Sequence, residues 1–264
     1  MANKSKKFSR RSPLAAALVL LAGLIVSGGS YVAASAAVSN VAPKTEVDQA
    51  QVDTGKKIFL ANCASCHGKN AEGTDNAPSL IGVGSASVDF QVGTGRMPMQ
   101  ASGPQVEKKP VQFKQDDIDA LAAYVASLAP GPESPTAEYL SRKGDATRGG
   151  ELFRINCAMC HNAAGAGGAL TEGKYAPSLR GTSAKNIYQA MVTGPQNMPV
   201  FSNTNLSPES KTDIITYLQY VQENPSVGGE ELGNLGPVVE GLFVWLGMLG
   251  LIVVITIWLG AKSN

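Results

Sequence analysis

Two long apolar runs bracket the chain. No charged residue occurs from Ser12 to Pro43, and the centre of this stretch reads Pro13-Leu14-Ala15-Ala16-Ala17-Leu18-Val19-Leu20-Leu21-Ala22-Gly23-Leu24-Ile25-Val26. Near the other end, Val238 to Leu259 is 22 residues with one charge, Glu240, close to its start. Each run is long enough to form a helix across a bilayer, which takes about 20 residues. Between them the apolar positions follow a helical period. Ile118, Leu121, Val125 and Leu128 recur at three and four residues, predicting an amphipathic helix over Asp116 to Leu128. An earlier helix is predicted to start between Thr45 and Asp53, after a polar connector over 39–50, and to run into Gly55-Lys56-Lys57-Ile58-Phe59-Leu60. A Gly-rich turn is expected between Leu80 and Gly95. Ala129-Pro130-Gly131-Pro132-Glu133-Ser134-Pro135 is expected to interrupt regular structure and mark a linker.

Beyond that linker the pattern starts again. Gly149-Gly150-Glu151-Leu152-Phe153 answers Gly55-Lys56-Lys57-Ile58-Phe59, and Ala176-Pro177-Ser178-Leu179 answers Ala77-Pro78-Ser79-Leu80. Asn197-Met198-Pro199 answers Arg96-Met97-Pro98, and Ile214, Tyr217 and Leu218 take the places of Leu121, Tyr124 and Val125. This is an internal duplication. The predicted organisation is a signal peptide or signal anchor over 1–38, a first domain over 45–129, a Pro-rich linker over 130–147, a second domain over 148–223, a linker over 224–237, and a membrane helix over 238–260. The N-terminal run has a basic leader (Lys4, Lys6, Lys7, Arg10, Arg11) and a small-residue site at Ala34-Ser35-Ala36, so cleavage and retention as an anchor both remain open.

Charge narrows the partners. The net charge of +1 conceals five basic residues before the first apolar run and Lys262 after the last; from Lys44 to Pro237 there are 16 Lys and Arg against 20 Asp and Glu, a net of −4. A nucleic-acid partner, which demands a basic face, is excluded. Trp245 and Trp258 read as apolar filler or interface anchors of the last helix.

The chemistry lies in one short stretch that occurs twice, Cys63-Ala64-Ser65-Cys66-His67 and Cys157-Ala158-Met159-Cys160-His161. Two cysteines three apart, followed at once by histidine, are the attachment signal of a c-type haem. Each thiol joins a haem vinyl group, and the imidazole becomes an axial ligand of the iron. These are the only cysteines and histidines in the chain, so bis-histidine ligation is excluded. Methionine is the remaining common ligand, and Met97 and Met198, each followed by proline, are the candidates, with Met99 the alternative to Met97. Met159 and Met191 read as packing residues. A zinc site made from the two Cys-x-x-Cys pairs is the competing interpretation; the adjoining histidines, the matched methionines and the export signal weigh against it.

Each repeat resembles a class I c-type cytochrome domain, which implies an all-α fold wrapped around one covalent haem c. In such domains a proline carbonyl accepts a hydrogen bond from the axial histidine, which points to Pro78 and Pro177, while Leu80 and Leu179 would pack on the haem. Gly55 with Phe59, and Gly149 with Phe153, match the first-helix residues that cross the closing helix. The full arrangement of export segment, two tandem domains and C-terminal membrane helix resembles the dihaem cytochrome c subunits of actinobacterial quinol–cytochrome c oxidoreductases, the cytochrome bcc complexes. That resemblance implies two haem c groups on the extracytoplasmic side of the cytoplasmic membrane and no catalytic site independent of the complex. It also implies a cytochrome b subunit and a Rieske iron–sulfur subunit as partners, with an aa3-type oxidase whose copper centre takes the electrons. The first domain would then receive electrons and the second deliver them. Two other readings keep the same motifs: an anchored cytochrome serving another dehydrogenase or oxidase, and a dihaem peroxidase or thiosulfate-oxidising enzyme, which would need an open iron position.

Overall fold

The computed structural model describes residues 13–41, 48–101, 103–141, 143–224 and 237–262. The basic leader residues, Thr45 and residues 225–236 of the second linker lie outside the described residues. Helix α1 (Pro13–Val41) stands as a unit by itself. It continues through positions 39–41, so the polar connector expected there begins later. The last helix spans Pro237–Lys262. Both helices are long and apolar enough to cross a membrane, and their large side chains, among them Leu18, Leu24, Leu242, Phe243 and Trp245, are exposed. Contiguous apolar surface of this extent marks a surface meant to be covered.

Four helical segments build the first half of the remainder: α2 (Gln49–Asn62), α3 (Ala64–His67), α4 (Gly84–Gly93) and α5 (Gln115–Leu128). Asp48 caps α2 by accepting a hydrogen bond from the Ala50 amide at 3.0 Å. Helices α2 and α5 cross where Gly55 meets the Ala120 carbonyl; a β-carbon on Gly55 would sit 1.9 Å from that oxygen. One turn on, Phe59 tilts against Tyr124 with ring centroids 5.2 Å apart. Phe59, Ile118, Leu121 and Val125 form the buried centre.

The second half repeats the plan with α6 (Ala137–Leu140), α7 (Ala146–Asn156), α8 (Ala158–His161), α9 (Ala184–Thr193) and α10 (Pro208–Glu223). Asp145 caps α7, accepting from the Thr147 and Arg148 amides. Helix α7 crosses α10 at Gly149, whose added β-carbon would lie 2.0 Å from the Asp213 carbonyl, and Phe153 tilts against Tyr217 at 5.6 Å. Asp213, buried on α10, accepts from the Asp145 amide at 2.7 Å and pairs with Arg148, so the start of α7 is tied to the closing helix.

The two halves differ at buried positions of the closing helix. Taking Ile214 as the counterpart of Leu121, Lys211 stands where the first half has the buried Ile118. Lys211 is itself fully buried; its ammonium donates to the Leu206 carbonyl and, at 2.9 Å, to Asn203 Oδ1. Burial pulls its pKa down, and the pair of acceptors answers the desolvation of the charge.

Three elements depart from the sequence reading. The span between Leu80 and Gly95 contains α4 rather than only a turn. The Pro-rich linker is held against the fold and contains α6: Pro132 O accepts from the Ala86 amide at 3.1 Å, and Tyr139 stacks on Tyr188 with centroids 5.9 Å apart. A two-residue antiparallel ladder, β1 (Gly168–Ala169) with β2 (Tyr175–Ala176), is added to the helical fold.

Helix α4 packs against α9, its counterpart in the second half. Asp89 and Gln189, at corresponding places in the two helices, meet there: Gln189 Nε2 donates to Asp89 Oδ2 at 2.7 Å, and Ser134 and Lys185 also contact that carboxylate oxygen. Both residues are buried, so the polar bridge lies inside the contact between the halves.

Gly149→Ala is expected to force α7 and α10 apart and to destabilise that half by about 3 kcal/mol, the upper range for overpacking. Thermal unfolding of the purified protein would show an earlier transition, while Gly103→Ala, whose nearest added contact is 3.8 Å away, would leave it in place.

Candidate haem sites

Each attachment motif occupies a single helical turn. In α3 the His67 and Cys66 amides donate back to the Cys63 carbonyl at 3.0 and 3.1 Å; in α8 the His161 and Cys160 amides donate to the Cys157 carbonyl at 2.9 and 3.1 Å. A helical turn brings positions i, i+3 and i+4 to one face, so both thiols and the imidazole are presented together. None of the four cysteines is joined in a disulfide. Burial, and then the neighbouring Cys66, push the Cys63 thiol up to about 11; burial and Cys160 push Cys157 to about 11. They are therefore protonated at neutral pH, the form that adds across a vinyl double bond with sulfur on one carbon and hydrogen on the other.

The imidazoles are oriented by proline carbonyls. His67 Nδ1 lies 2.8 Å from Pro78 O, and His161 Nδ1 lies 3.0 Å from Pro177 O. A proline carbonyl only accepts, so Nδ1 carries the proton and Nε2 keeps its lone pair for a metal. Burial lowers the pKa of His161, partly offset by the Pro177 bond, which favours the neutral ligand form. Two glycines that the sequence reading passed over set this geometry. Gly73 and Gly167, each six residues after its histidine, donate to the His67 and His161 carbonyls at 2.8 and 2.9 Å. They adopt φ of 88° and 86°, and a β-carbon at either would press within 2.6 Å of the backbone around the proline. Their equal spacing from the two motifs was the available signal.

In the second half, His161, Cys157, Cys160, Pro177, Leu179, Met191 and Met198 share a cavity of about 540 Å³. The loop bearing Met198 is held at both ends: Gly194 closes α9 in the left-handed conformation, the Phe201 amide donates to Met191 O at 2.7 Å, and Lys211 grips Leu206. In the first half, Met97 is half-buried against the core together with Cys63 and Leu80. Its amide donates to Gln91 O at 2.9 Å, and Lys109 Nζ donates to Pro98 O at 2.5 Å, clasping the Met97-Pro98 turn. Met99 is exposed. Met191 is buried in the core, but Met159, expected to pack, is 92% exposed, because the α8 turn directs positions 157, 160 and 161 inward and 159 outward.

These donors fit a covalent haem: a thiol pair and an imidazole on one helical face, a fixed tautomer, and a thioether on the wall of the same largely apolar cavity.

Comparison with known proteins agrees with this geometry. Residues 52–129 match the cytochrome c family model, and residues 144–218 match the model of cytochrome c oxidase, cbb3-type, subunit III. Each matched region contains one attachment motif. The chain is 43% identical to the cytochrome bc1 complex cytochrome c subunit of Corynebacterium efficiens, over 98% of this chain and 93% of that protein. It is 45% identical to the subunit of the same name from Mycobacterium leprae, over 93% and 87%. With that of Corynebacterium diphtheriae the identity is 41% over the whole of both chains. Identity of 41–45% over 93–100% of its length places this chain in the family of cytochrome bc1 complex cytochrome c subunits.

Proposed function

We propose that this protein is the membrane-anchored dihaem electron carrier of a quinol–cytochrome c oxidoreductase, taking electrons from a Rieske iron–sulfur protein and passing them to the copper centre of an aa3-type oxidase. The observation that supports it is the twice-built site on a chain similar over its full length to subunits of the bc1 complex. Each attached haem c supplies a one-electron couple, its iron passing between the ferric and ferrous states. His67 and His161 would each give the iron a nitrogen ligand, with the ring fixed by Pro78 and Pro177, and Met97 and Met198 would give it a thioether, which favours the reduced iron and raises the potential. The chain contributes no other catalytic group, and its part in a translocase is to carry electrons within the complex.

The last helix, Pro237–Lys262, holds the carrier at the membrane, joined by α1 where the N-terminal run is retained rather than cleaved. The basic leader and Lys262 suit the cytoplasmic side, which supports a reading with both haem-binding halves on the extracytoplasmic face, beside a cytochrome b subunit and the Rieske subunit. Joining two carriers in one chain keeps each at high effective concentration for the other and substitutes for a soluble cytochrome c.

A pyridine haemochromogen assay is expected to give two haem c per chain, falling to one in the Cys157→Ser, Cys160→Ser variant. In the oxidised protein, Met97→Leu and Met198→Leu should each remove about half of the sulfur-to-iron charge-transfer absorption, whereas Met99→Leu should leave it intact; loss with Met99→Leu alone would assign the first ligand to Met99. Protein purified from native membranes in mild detergent should show haems b and a beside haem c in its reduced-minus-oxidised spectrum. Haem c alone, with both irons six-coordinate, would overturn the partners proposed here.

A further inference from the structure

The cavity of the second haem site is not built by the second half alone. Phe90, Thr94, Arg96, Gln105 and Lys108 of the first half also line it. Two of these come from an extension that the repeat does not share. Met97 to Gln115, the start of α5, spans 18 positions, whereas Met198 to Pro208, the start of α10, spans 10. The longer loop is clamped onto the second half by two reciprocal amide pairings. Gln105 Nε2 donates to Tyr175 O at 2.9 Å and its Oε1 accepts from the Tyr175 amide at 2.8 Å. In return, Gln196 Nε2 donates to Val106 O and its Oε1 accepts from the Val106 amide, both at 3.0 Å. Each side chain satisfies both backbone groups of one residue, as a strand neighbour would.

The charge of this cavity is one-sided. Arg96, Lys108 and Lys174 line it and no Asp or Glu does. Lys174 is paired with Glu172 at 3.0 Å. Arg96 is half-buried over the Phe90 ring, 4.9 Å from its centroid, with one guanidinium nitrogen 2.7 Å from Thr94 Oγ1; among the described residues neither Arg96 nor Lys108 forms an ion pair with a carboxylate. A haem carries two carboxylates, and an apolar slot with two unneutralised cations on one wall is their complement. We infer that the first half forms part of the second haem's binding site, with Arg96 and Lys108 holding the carboxylates of the haem attached at Cys157 and Cys160. This rests on the two-haem reading above. It would make Arg96 a link between the sites, since its neighbour Met97 would ligate the first iron while its own side chain lines the second cavity.

Reduction adds one negative charge to a haem, so a nearby cation stabilises the reduced form, more strongly where water is excluded. The test is a spectroelectrochemical titration of the full chain, with each haem identified by the downward shift that Met97→His or Met198→His produces. Lys108→Gln, an exposed loop change, should lower the second haem's midpoint and leave the first unmoved. Arg96→Gln should lower the second further, and Arg96→Lys should restore part of the shift. A second midpoint unmoved in the Arg96→Gln, Lys108→Gln double variant would overturn the inference, as would equal shifts of both haems in Lys108→Gln, which would report general surface charge. One haem per chain in the haemochromogen assay would instead overturn the two-haem reading itself.

Discussion

A haem iron that only carries electrons needs one ligand from each side of a flat ring, and the chain must deliver them from places far apart in sequence. In the function proposed above the imidazole would come from a single helical turn and the thioether from a loop 30 or 37 residues later, at Met97 and Met198. Everything else serves that convergence. The glycine crossings of α2 with α5 and of α7 with α10 let the framework helices touch backbone to backbone, which fixes the turn carrying the motif. The turn at Gly73 or Gly167 carries the chain back so that a proline carbonyl stands under the ring nitrogen. The methionine loops are clasped by lysines, Lys109 in one half and Lys211 in the other, which reach backbone carbonyls by different routes.

The chemistry of the sites was legible in the sequence because it is local: a thiol pair and imidazole within five residues need no tertiary knowledge to be seen together. The repeat then pointed to Pro78 and Pro177, which do meet the histidines, and to Met97 and Met198 as the ligands proposed above. The elements that escaped are those with no local signature. Helix α4 is packed between α5 and α9, with Ala86, Val88, Phe90 and Val92 all buried, so it lacks the one-sided stripe that marks a surface helix, and the glycines at its ends read as a turn. Helix α6 and the β1–β2 ladder are too short for any period to register. Composition spoke only to the absence of a basic face. The wall that Arg96 and the 105–108 loop add to the second cavity depends on how the halves meet, and periodicity along one chain is blind to that.

The duplication has been worked upon unequally. The crossing glycines, the aromatic pairs and the histidine–proline bonds recur with nearly the same geometry, because the ligand problem is the same in both halves. Outside those contacts the copies diverge: a buried isoleucine in one is a buried lysine in the other, and one methionine loop is eight positions longer and reaches across to its neighbour.

The meeting of Asp89 with Gln189 bears on how such a chain could have arisen. If two identical ancestral domains once paired about a two-fold axis through this point, each would have shown the other the same side chain. Aspartate would have faced aspartate, two buried like charges, and glutamine would have faced glutamine. Only after the copies were joined in a single gene could the two positions be inherited separately, one as acceptor and one as donor. The present bridge is thus a contact between unlike side chains at like positions, which a symmetric pair of identical domains could not make.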